Sequence, residues 1–125
     1  MKISLPVYSK GEEVINSMTH GVGAVLSLIG TFIVTNLTKE KISLISGLIF
    51  CISLFLLYTA SAIYHGLPKS SKIKRIMRVI DHCNVFILEA GTFTPVCLIA
   101  LSDKIGIVYF YICLLYTSDA ADDRI

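Results

Sequence analysis

Apolar residues run almost unbroken through residues 14–37, 42–67 and 79–101, and a fourth apolar run opens at Ile105. A hydrocarbon core of roughly 30 Å asks for about 20 helical residues at about 1.5 Å each, so each of the first three runs is long enough to cross a bilayer. None shows the strict alternation of a barrel strand. Backbone groups in hydrocarbon have no water to bond, so helix is the state these runs must adopt. The pattern predicts an all-α, polytopic transmembrane helix bundle with about three and a half helices and no separate soluble domain. The first run reads as a retained span: Glu12 and Glu13 precede it beside the lysines, and it is too long for a signal-peptide core.

Composition agrees. Of 125 residues, 54% are hydrophobic and 16% charged, an excess of apolar residues that no soluble domain of this size would carry. The formal charge of +2 is a topology signal and not a nucleic-acid footprint. Between the second and third runs stand Lys69, Lys72, Lys74, Arg75 and Arg78 with no acid, whereas the first connection has only Lys39, Glu40 and Lys41, and the third only Asp103 and Lys104. By the positive-inside rule the basic connection is expected in the cytoplasm, and with it the N-terminus, which carries Lys2 and Lys10. The cysteines add little: Cys51, Cys83 and Cys97 lie within runs without Cys-x-x-Cys spacing and read as buried thiols.

From Cys113 the chain reads CLLYTSDAADDRI, and Asp119, Asp122 and Asp123 arrive early in what should be a fourth span, each costing about 2.5–3.5 kcal/mol at a span's centre. The helix is expected to be interrupted there. This stretch resembles a transposase-type sequencing adapter read in frame, so residues 1–112 are taken as the membrane domain and 113–125 as a non-native tail. Without that tail 10 basic residues face 6 acidic ones.

Ionisable groups inside a span are costly and mark candidate sites. Ser61 and His65, in YTASAIYHGLP, are four apart and share a helix face, with Tyr58 on the same stripe. Asp81 and His82, in VIDHCNVF, open the third run, so His65 and Asp81 are expected at one depth and, across a short connection, together. A histidine, a carboxylate and a hydroxyl suit a hydrolytic metal site. Spacing alone leaves this open against a histidine that faces headgroups or is simply hydrogen-bonded. Zinc catalysis also needs more ligands than these.

The pieces EEVINSMTHGVGA, YTASAIYHGLP and VIDHCNVFILEAGTFTP, in this order and spacing, closely resemble the hemolysin III family of bacterial membrane proteins, over residues 10–112. That family is related to the progestin and adipoQ receptors and more distantly to alkaline ceramidases. The resemblance implies a seven-helix bundle in the bacterial plasma membrane, an inward N-terminus and a zinc site near the cytoplasmic face. Carried over residue by residue, it makes His65 a zinc ligand, Ser61 a nearby polar group and Asp81 the holder of the zinc-bound water. The remaining ligands would come from a His-x-x-x-His on a seventh helix, which this sequence lacks.

His20 matches the family's first-helix motif and is expected either in the polar cluster or as a satisfied interior histidine; His82 is a motif residue of undefined role. Gly21 and Gly23 read as close-packing positions. Glu89 departs from the aliphatic residue usual there. It reads as a protonated group bonded to a neighbouring helix, or as part of a proton or substrate path. Gly91 and Pro95 read as a packing and kink element, with Thr92 and Thr94 capping freed carbonyls. The expected function is a zinc-dependent hydrolase of a lipid amide or ester, with membrane lipids as partners. The alternatives are a pore-forming cytolysin, against which the confinement of polar groups to one end argues, and a non-enzymatic zinc-containing sensor.

Overall fold

The computed structural model describes residues 5–101 and 104–122. Lys2, Asp103, Asp123 and Arg124 therefore lie outside the described residues. Helix α1 spans Lys10–Leu37, α2 Lys41–Gly66 and α3 Lys72–Pro95, which passes into a π-helical turn at Val96–Ala100; α4 spans Lys104–Asp122. No strand occurs among the described residues. Three helices, Lys10–Leu37, Lys41–Gly66 and Lys72–Ala100, are long and apolar enough to cross a membrane.

Local chemistry sets the helix starts. Ser9 and Glu12 form a reciprocal capping box, Glu12 N–H donating to Ser9 Oγ at 3.2 Å and Ser9 N–H to Glu12 Oε2 at 2.7 Å. Helix α1 thus begins a full turn before its apolar run and carries Glu13 into the bundle. Helix α2 is capped by Glu40, whose carboxylate accepts from Ile42 N–H at 3.0 Å and Ser43 N–H at 2.6 Å. Hydrogen bonds from Ser43, and then from Ile42, hold the Glu40 carboxyl below its ordinary value of 4.5. A carboxyl depressed on folding stabilises the helix start fully above pH 4.5 and loses that contribution as pH falls through its lower folded value. Protection of the Ile42 and Ser43 amides, measured relative to their intrinsic exchange, is expected to fall with acid in the wild type and to lose that dependence in Glu40→Gln.

Helix α3 corrects the expected boundary. The basic stretch before residue 79 is not a loop: the connection is only 67–71, and α3 starts at Lys72. Ile73, Ile76 and Ile80 fall at helical spacing and are exposed on the outer side, whereas Lys74 is turned inward and 2% exposed. Pro95 removes one helical donor, and the chain answers with a wider turn in which Leu101 N–H reaches Val96 O at 3.0 Å. Thr92 and Thr94 bond the carbonyls of Leu88 and Ala90. The carbonyl Pro95 frees by its missing N–H, four residues back at Gly91, is not among them. Helix α4 continues through Asp119 without the expected break, since the cost of its aspartates concerns depth in hydrocarbon and not backbone helicity; its apolar part ends at Tyr116.

Helix α2 lies between α1 and α3, antiparallel to both, and α4 packs on α3 and the π turn. Small residues let the backbones approach. A Cβ at Gly23 would press on the Tyr58 ring at 2.9 Å, one at Gly47 would meet Val34 at 2.8 Å, and one at Gly91 would collide with the Ser53 side chain. Gly21, by contrast, faces open space. Ser46, Ser53, Ala60 and Ser61 of α2 are buried in these seams, as are Cys51 and Cys97. Leucine, isoleucine and valine side chains dominate the outer surface of α1, as they must where a helix meets lipid or further helices.

A cross-braced polar cluster at one end of the bundle

The antiparallel seam between α1 and α2 sets polar residues opposite one another, rung by rung, at the end that holds the start of α1 and the α2–α3 connection. Glu13 Oε2 lies 3.0 Å from His65 Nδ1. Ser17 Oγ donates to Ala62 O at 2.8 Å, and His20 Nδ1 lies 2.6 Å from Ser61 Oγ. Residues 13, 17 and 20 share one face of α1, while 61, 62 and 65 share one face of α2. The His20 and His65 rings meet edge to face, 6.0 Å between centroids, and Tyr58 and Tyr64 flank them at 5.7 and 4.7 Å.

Helix α3 closes the cluster with Lys74. Its Nζ is 3.0 Å from Glu13 Oε1, donates to Leu67 O at 2.9 Å and sits 5.0 Å from the Tyr64 ring centroid. One buried carboxylate, 8% exposed, thus joins three helices, with a histidine on one oxygen and an ammonium on the other. Such a pair is tolerated away from water because each charge is compensated and hydrogen-bonded.

Three of the residues singled out from sequence, His20, Ser61 and His65, are brought together. The carboxylate that reaches His65 is Glu13. Asp81 lies one heptad beyond Lys74 on α3, half-buried, where it and Arg78 act electrostatically on Tyr64; it has no hydrogen-bond partner among the described residues. His82 is exposed, and Glu89 is half-buried without a hydrogen bond among the described residues. Asn84, buried deeper on α3, donates to Leu56 O at 3.2 Å. Glu13 and Lys74 were not apparent from sequence because both lie outside the apolar runs. The available signal was the spacing of Glu13, Ser17 and His20 on one helical face.

A helix bundle with three membrane-length apolar helices and an ionisable cluster at one end defines a multi-pass membrane protein. Residues 8–120 match the family described as Haemolysin-III related, and the chain belongs to that family. It is 33% identical over 98 residues to Hemolysin-3 of Bacillus cereus, an alignment covering 76% of this chain and 44% of the relative. It is 36% identical over 98 residues to the Hemolysin-3 homolog of Bacillus subtilis (strain 168), covering 76% and 46%. The chain thus spans about half the length of the curated relatives it matches. No solved structure matches it.

Proposed function

We propose that the complete protein is a zinc-dependent hydrolase of a lipid amide or ester, with its site at the end of the bundle that carries the basic residues of α3, facing the cytoplasm of a bacterial cell. One observation carries this reading. His65 commits Nδ1 to a carboxylate and leaves Nε2 without a hydrogen bond among the described residues, the arrangement by which metal-ligating histidines are oriented.

The donor set fits part of a zinc site: His65 Nε2 would hold the ion, and Asp81, the half-buried carboxylate one heptad beyond Lys74, would act through a water. Among the described residues no three His, Cys, Asp or Glu side chains are placed to hold a metal ion together, so further ligands would come from the remaining length of the protein. Bound zinc would supply Lewis acidity and a water acidified toward neutral pH. Asp81 would orient that water and accept its proton. Ser61 is fixed by His20; with the His20 proton on Nδ1, Ser61 accepts that bond and its own hydroxyl is free to donate to the substrate oxygen on which charge develops. The exposed apolar faces of α1 and α3 would let an acylated substrate approach from the lipid side.

The test is zinc content and turnover of a panel of lipid amides and esters by the purified full-length protein. Bound zinc and turnover are expected in the wild type. His65→Ala should lose both, and Asp81→Asn should retain zinc and slow turnover by about 10²–10⁴-fold. The name of the Bacillus cereus relative, Hemolysin-3, suggests a rival, cell lysis, which a pore would perform. Zinc-free wild-type protein that permeabilises vesicles as well after His65→Ala and Asp81→Ala would establish that rival instead.

A further inference from the structure

Glu13 is the one buried carboxylate of the cluster, and a plain topological role does not account for the way its two oxygens are used. Oε1 is held by Lys74, itself anchored to Leu67 O and covered by the Tyr64 ring. Oε2 is thereby left with a fixed direction, and it meets His65 Nδ1 at 3.0 Å. An ionised carboxylate only accepts hydrogen bonds, so Nδ1 must be the donor. A neutral His65 then carries its proton on Nδ1 and its lone pair on Nε2. The ring cannot turn over without abandoning Glu13.

We propose that Glu13, anchored by Lys74, is the positioning residue of the site: it fixes the tautomer and ring orientation of His65 so that Nε2 is presented as the ligand or base. This deepens the hydrolase reading and rests on it for the identity of the metal. The tautomer itself can be read without metal. Outer-shell partners of this kind typically matter by about 10–100-fold in metal affinity. Lys74 serves a distinct purpose, since without it the carboxylate would be free to rotate and the direction of Oε2 would be lost.

The experiment uses the full-length protein with ¹⁵N-labelled histidine, in the metal-free state, followed by zinc titration against a competing chelator. The wild type is expected to show His65 protonated at Nδ1. Glu13→Ala should shift His65 to a mixture or to the Nε2-protonated form and weaken zinc by about 10–100-fold. Glu13→Gln has one amide oxygen for two donors; with Lys74 on that oxygen its NH2 faces Nδ1 and should likewise favour the Nε2-protonated form, whereas Glu13→Gln with Lys74→Met, which frees the oxygen for Nδ1, should restore most of the Nδ1-protonated signal. A wild-type His65 protonated at Nε2 overturns the proposal whatever the variants do, and so does an unchanged tautomer and zinc affinity in folded Glu13→Ala. A wild type that shows the expected tautomer but takes up no zinc leaves the positioning role standing and removes the hydrolase reading.

Discussion

Lys74→Met in the full-length protein is expected to lower stability by about 3–5 kcal/mol. The reason is the partner left behind. Glu13 would keep its burial and its bond to His65 but lose the ammonium 3.0 Å from Oε1. A buried carboxylate with its charge uncompensated is costly, whereas an apolar side chain of similar length in the space of Lys74 is not. The double variant Lys74→Met, Glu13→Gln should therefore recover most of the loss. Denaturation in detergent micelles measures both. A Lys74→Met protein as stable as the wild type would mean that Glu13 reaches water in the assembled bundle.

Gly91→Leu is the second large effect expected, here from overpacking. The position is buried where α3 crosses α2, and even a Cβ would run into the Ser53 side chain, with Ile49 O 3.5 Å away on the facing backbone. The helices would have to separate, at about 1–3 kcal/mol for the displaced packing, and the Asn84 bond to Leu56 O, about two turns away along the same face, would lengthen with them. Thermal unfolding and loss of the rigid α2–α3 contact in cross-linking measure it. Gly91→Ala combined with Ser53→Gly should come close to wild type, and a Gly91→Leu variant with unchanged melting would show that this crossing is looser than described. Gly21→Ala serves as the control, since nothing lies within 4 Å of its Cβ direction.

Much of the fold was legible because membrane insertion imposes a simple rule. Long apolar runs must be helices, and α1, α2 and the interior of α3 follow from hydropathy alone. The start of α3 does not, because a run of basic residues has the pattern of a loop. Lys72, Lys74, Arg75 and Arg78 sit on helical turns whose isoleucines face outward, and long basic side chains tolerate such a position by extending along the helix. The site was legible only where two partners lay on one helix. Ser61 and His65, four apart, do share a face, but each is satisfied from α1, by His20 and Glu13 in turn. Pairing between helices depends on register, which no periodicity within a single helix reveals. Along the sequence Glu13 stands out only as an acid ahead of the first apolar run, and Lys74 only as one charge among five.

The three-way junction also has a history built into chain order. A translocating ribosome delivers the first helix well before the third, so Glu13 enters the lipid interface with its cation still unmade. Until Lys74 emerges, a carboxylate at that position is better solvated among headgroups than in hydrocarbon. Closure of the junction, and with it the sealing of the polar end, has to wait for the third helix.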